Sequence, residues 1–150
     1  MEQRRYLAPD QLTRRVVNPA MAAMTRVGLS LRGSRLLRVR GRQSGEWRTT
    51  VVNPVGVGGD RYLVAPRGET LWVRNLRVAG SGELRLGRRT EAFHAHEIDD
   101  DAKPPILRQY LTTWKSEVGQ FFDGIGPDSP DADLQAIAAG YPVFRITAEP

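Results

Sequence analysis

The chain has 150 residues, 40% hydrophobic and 26% charged, enough for one globular domain around a single core. Its net charge of +5 points to an anionic partner, and the absence of cysteine excludes disulfides, thiolate metal sites and cysteine nucleophiles. No apolar run approaches the roughly 20 residues that span a bilayer, and Met1-Glu2-Gln3-Arg4-Arg5 has no apolar stretch behind it, so the expectation is a cytoplasmic protein without a secretory signal.

Residues 1–33 form a basic N-terminal segment, with residues 34–150 as the main domain. Within the first part, residues 10–31 read as helical, with Asp10 as N-cap and Leu12, Val16, Met21, Met24, Val27 and Leu31 on one face. Pro19 divides it into two short helices. A basic amphipathic helix can lie on an anionic membrane, here the inner face of the plasma membrane. Packing against a core is the competing reading.

Strands follow over 35–41, 48–56, 61–65, 83–87 and 91–97, with turns such as Gly58-Gly59-Asp60 between them. A short helix covers 71–78, and a longer one covers 102–119 behind Pro104-Pro105. Residues 124–133 form a Pro/Asp-rich loop. A helical turn at 134–139 and a last strand at 141–146 complete the pattern. Short strands joined by tight turns predict an antiparallel barrel or sandwich with flanking helices.

Chemistry concentrates in Arg40-Gly41-Arg42-Gln43-Ser44-Gly45-Glu46-Trp47-Arg48, between two strands. Ser44-Gly45 signals a tight turn, and such a turn can aim backbone N–H groups at an anion. Arg42 and Arg48 would bracket a phosphate or carboxylate, and Ser44 would donate its hydroxyl. A solvated arginine-rich turn explains the same residues equally well.

This segment, Leu63-Val64-Ala65-Pro66-Arg67-Gly68, Trp72-Val73-Arg74-Asn75-Leu76 and the final Pro142-Val143-Phe144-Arg145-Ile146 stand in an order that resembles the deazaflavin-dependent nitroreductase family. The resemblance covers roughly residues 15–148. It implies an α+β fold, a mainly antiparallel split β-barrel with flanking helices. It also implies hydride transfer from the reduced 8-hydroxy-5-deazaflavin coenzyme F420 to a planar, electron-poor acceptor. By the same resemblance Arg42, Gln43, Ser44 and Arg48 hold the anionic part of the cofactor. Ala65, Pro66, Arg67 and Gly68 line its ring, and Trp72, Asn75 and Leu76 close the pocket. The chain departs from the family pattern at Gln43, where a lysine is common. The stretch from Gly68 to Trp72 is shorter than usual. At Asn53 or Pro54 some members carry a tyrosine over the substrate.

The residues themselves agree with a cofactor role. Phosphate, carboxylate and polyglutamate groups match a basic groove of Arg40, Arg42, Arg48 and Arg67, and the cofactor performs the redox step. FMN is the alternative cofactor, and a cofactor-binding protein without turnover is a further one. A nucleic-acid partner is not expected, because acidic runs follow residue 96 and Trp47 is the only aromatic in the arginine-rich turn. His94 and His96 alternate beside Glu97 without a third metal ligand at a suitable spacing, so no metal is expected. Tyr110, Tyr141 or water would supply the proton to a reduced substrate.

Overall fold

A computed structural model describes residues 33–149. The expected helices over 10–31, the break at Pro19 and the division at residue 33 fall on or against residues outside that range. The described strands are β1 (Arg35–Arg40), β2 (Trp47–Val52), β3 (Val55–Val57), β4 (Asp60–Val64), β5 (Ser81–Leu86), β6 (Arg89–Glu97) and β7 (Val143–Ala148). The helices are α1 (Leu71–Ala79), α2 (Pro104–Val118) and α3 (Asp131–Ile137). None of them is long and apolar enough to cross a membrane.

The strands form one sheet in the order β2-β1-β5-β6-β7-β4-β3, and every pairing is antiparallel. Strands consecutive in the chain, β2 and β3, thus occupy opposite edges. Laid flat, those edges would lie about 29 Å apart at ~4.8 Å per strand. Only Asn53 and Pro54 separate them, and the step from Val52 to Val55 reaches at most about 11 Å. The sheet must therefore curl until its edges approach, which gives the expected split β-barrel of the α+β class.

That connection corrects one sequence expectation. The stretch 48–56 is not one strand, because Pro54 has no N–H for a ladder and its carbonyl instead accepts the Trp114 indole N–H at 3.1 Å. The last strand runs two residues further along the chain than expected, starting after Pro142 for the same reason. Helix α3 also begins earlier, with Asp131 and Asp133 in a first turn where negative charge is favoured.

Adjacent residues of a strand point to opposite faces, and two cores result. Leu63, Phe144, Phe93, Leu37 and Val39 pack with Val73 and Leu76 of α1 on one face. On the other, Val64 and Val143 pack with Ile106, Leu107, Tyr110, Leu111 and Trp114 of α2, and with Phe122, Leu134 and Tyr141. Helix α1 ends where Gly80 takes the left-handed conformation (φ 71°) and its N–H bonds the Leu76 carbonyl at 2.8 Å.

Candidate functional site

The turn between β1 and β2 is a six-residue loop, Gly41 to Glu46, closed by its own hydrogen bonds. The Gly41 N–H donates to the Glu46 carbonyl at 2.7 Å, and the Gly45 N–H donates to the Gly41 carbonyl at 2.9 Å. Gly45 sits at φ 74°, which a side chain would resist. A Cβ on Gly41 would meet the Ser44 hydroxyl oxygen at 2.9 Å, so a larger residue there would push that side chain aside. The Glu46 N–H donates to the Ser44 hydroxyl at 3.1 Å.

These bonds alter the expected anion nest. Four of the loop's N–H groups already have partners within the protein, including the Arg42 N–H, which donates to Asn75 Oδ1. The loop offers anions its arginines and the Ser44 O–H more than its backbone. The Arg42 guanidinium also donates to Asn75 Oδ1, at 2.8 Å. Asn75 is buried in α1, so one carboxamide oxygen fastens the loop to the helix.

A groove of about 760 Å³ lies between this loop and α1, lined by Arg42, Gln43, Ser44 and Arg48 from the loop and β2 and by Arg67, Thr70, Trp72 and Asn75 from α1 and the segment before it. It continues into a small inner pocket of about 70 Å³. Asn53, Ala65, Pro66, Thr70 and Tyr110 are among the residues that line the pocket, and none of its lining residues is acidic. Thr50, Arg67, Thr70 and Trp72 border both spaces.

The loop carrying Arg67 is fixed from behind. Its turn bonds the Gly68 N–H to the Ala65 carbonyl and the Thr70 N–H to the Gly68 carbonyl. Buried Glu69 accepts from Arg77 at 2.8 Å, and Arg77 also donates to Glu97 at 2.7 Å. Both carboxylates, Glu97 foremost, raise the Arg77 guanidinium above its ordinary range and keep it charged. The loop, α1 and the end of β6 are thereby tied together.

Most sequence-expected residues thus border one continuous space, but four do not. Leu76 is fully buried in the core under α1. Gly68 shapes the turn without lining the cleft. Arg40 lies outside the groove, stacked over the Trp47 ring at 4.2 Å. Tyr141 packs under α2, its ring stacked on Phe122 and its hydroxyl donating to the Phe121 carbonyl. That commitment removes Tyr141 from the candidate proton donors. Tyr110 does reach the inner pocket, and burial pushes its hydroxyl well above the usual tyrosine range. Sequence reading missed Thr70. As the residue preceding α1 it is legible as an N-cap, yet its hydroxyl makes no capping bond.

The family model described as F420H(2)-dependent quinone reductase matches residues 12–121. Among curated proteins nothing matches the chain. Solved structures similar in fold include an F420-H2 dependent reductase (FDR-A), at TM-score 0.53 and 16% identity over 77% of this chain and 95% of that one. A protein of unknown function from Agrobacterium tumefaciens, Atu2129, matches at TM-score 0.56 and 18% identity, over 95% of this chain and 56% of that one. HutZ, the heme storage protein from Vibrio cholerae, matches at TM-score 0.51 and 14% identity, over 79% of this chain and 83% of that one.

Proposed function

The chain belongs to the F420H2-dependent quinone reductase family, and from that premise we propose that it binds coenzyme F420 in the groove and reduces a planar, electron-poor small molecule, such as a quinone, nitroaromatic or unsaturated lactone. The observation that carries this reading is the change of character between the groove and the pocket. The groove presents Arg42, Arg48 and Ser44, and the smaller pocket that shares Arg67, Thr70 and Trp72 with it adds Ala65 and Pro66. An elongated ligand with an anionic tail and an uncharged ring with polar edge atoms fits that pairing.

When bound, the reduced deazaflavin supplies a hydride to the acceptor. The protein's own contribution is placement. Arg42 and Arg48 bind the anionic tail, and the Arg42–Asn75 contact keeps the loop against α1. Trp72 and the Ala65 to Gly68 loop shape the space in which donor and acceptor meet and keep water from it. Arg67 adds positive charge at the junction of groove and pocket, where reduction makes the acceptor more negative. Burial keeps the Tyr110 hydroxyl protonated where it borders the inner pocket, so Tyr110 or water supplies the proton to the reduced acceptor.

A titration of oxidised F420 against FMN, followed by cofactor fluorescence, tests the assignment. The expected result is saturable F420 binding that weakens with salt, and much weaker FMN binding. Tight FMN binding with no F420 binding would replace the deazaflavin reading with a flavin one.

A further inference from the structure

Thr70 stands at the N-cap of α1 with extended backbone angles (φ −74°, ψ 174°). A threonine there ordinarily accepts an N–H from the first helical turn through its hydroxyl. This one makes no such bond. Its backbone is fully used: the N–H donates to the Gly68 carbonyl at 2.8 Å, and the carbonyl accepts the Arg74 N–H at 3.2 Å. The side chain is only 5% exposed. Among the described residues, its Oγ1 is the one buried side-chain nitrogen or oxygen with no partner. A buried hydroxyl left without a partner is unfavourable. Thr70 is among the residues that border both the groove and the inner pocket.

The neighbouring groups narrow what would satisfy it. Asn53 Oδ1 already accepts the Ser34 hydroxyl at 2.7 Å, so what Asn53 still offers is its amide N–H. Tyr110 offers an O–H held protonated by burial. Arg67 is a donor only, and no carboxylate lines the pocket. Side-chain donors from Asn53, Arg67 and Tyr110 thus border a space of about 70 Å³, too small for a ring but sufficient for an atom at a ring's edge.

We infer that Thr70 is a ligand-recognising residue, its hydroxyl donating a hydrogen bond to a carbonyl oxygen of the ring system bound in the groove. This rests on the cofactor reading above. Both the dioxopyrimidine edge of the deazaflavin and a quinone acceptor carry such an oxygen, and the two are separable by measurement.

The test compares the wild type with Thr70→Val, which keeps the shape without the hydroxyl, and Thr70→Ser, which keeps the hydroxyl. Three quantities are read: thermal unfolding of the free protein, the Kd for oxidised F420, and KM for a soluble quinone with F420 saturating. Free T70V should unfold no earlier than wild type, because no internal bond is lost. It should bind one ligand about 5–10-fold more weakly, while T70S stays within about twofold. A weaker F420 Kd assigns the bond to the cofactor. A change in KM alone assigns it to the acceptor. The inference falls if free T70V unfolds several degrees early with Kd and KM unchanged, since the hydroxyl would then be a helix cap. It falls alone if wild type and T70V bind F420 and turn over equally. If the wild type binds no F420, the cofactor reading fails and this inference fails with it.

Discussion

The two faces of the curled sheet are finished in opposite ways. Under α2, Trp114, Phe122 and Tyr141 fill the core, and the polar atoms of Trp114 and Tyr141 are paired. The Trp114 indole donates to Pro54, the Tyr141 hydroxyl to Phe121, and the buried Lys103 ammonium to the Ala138 carbonyl and Asp100. Under α1 the sheet is only partly covered. Leu37 and Val39 reach the floor of a groove, arginines stand exposed at its rim, and Thr70 keeps an unpaired hydroxyl at its inner end. One face is complete without a ligand and the other is not. Stability should therefore follow substitutions under α2, and binding should follow substitutions beside α1.

The sharpest way to break this contrast is on the sealed face. Trp114→Ala removes a side chain that is 1% exposed and leaves the Pro54 carbonyl without its donor. The expected loss is about 3–5 kcal/mol of folding stability, the range for removing a buried large aromatic. Urea unfolding would measure it. F420 affinity, measured below the unfolding transition, should stay within a few-fold. Should W114A bind tenfold more weakly while still folded, the two faces are coupled through the Asn53-Pro54 connection and the division is wrong.

On the open face the order reverses. Arg48→Ala should weaken F420 binding by about 1.5–3 kcal/mol, the range for hydrogen bonds to charged groups. Its melting temperature should hardly move, because Arg48 is exposed. The effect should shrink as salt rises, since exposed charges are screened. An R48A protein with unchanged affinity at low salt would show that the arginine turn is a solvated surface after all.

Asn75 should act at one remove. Its Oδ1 holds both the backbone N–H and the guanidinium of Arg42, so Asn75→Leu releases the loop while keeping most of the buried volume. A loss of about 1 kcal/mol in F420 binding is expected, near the worth of a typical hydrogen bond. If Asn75 works through the Arg42 loop, the pair N75L/R42A should lose less than the sum of the two single losses, the remainder coming from the Arg42 backbone N–H that Asn75 also holds. Additive losses would instead mean that Asn75 touches the ligand itself.

Much of this contrast is visible in the sequence, and the missing parts have identifiable causes. The strands, the three helices and the arginine turn are local features, carried by alternation, capping residues and Gly-rich turns. The split at Asn53-Pro54 is less local. Threonines and valines on both sides favour extension, and only the proline's missing donor and the far-off Trp114 separate β2 from β3. The role of Asn75 depends on a partner 33 positions away. Tyr110 and Tyr141 look alike as sequence. What distinguishes them is that one borders the pocket and the other has its hydroxyl bound to Phe121. Thr70 is the opposite case, since its position announces a helix cap and its hydroxyl is not used as one.

The smallest effect should come from the two histidines, although they are the residues most often recruited for catalysis. Phe93 and Ala95 of β6 pack on the face covered by α1. His94 and His96 alternate with them and so point away from the groove. His94 lies 3.3 Å from Glu149, and both side chains are largely exposed. Among the described residues no three His, Asp or Glu side chains gather as a metal site. Replacing both histidines with alanine should therefore leave F420 Kd and turnover within a few-fold, and stability within about 0.5 kcal/mol, as for ordinary surface changes. Adding a chelator to the wild type should change neither. A collapse of turnover in the double variant with F420 still bound would place chemistry on the face opposite the groove, and the open face would then be a binding surface without the reaction.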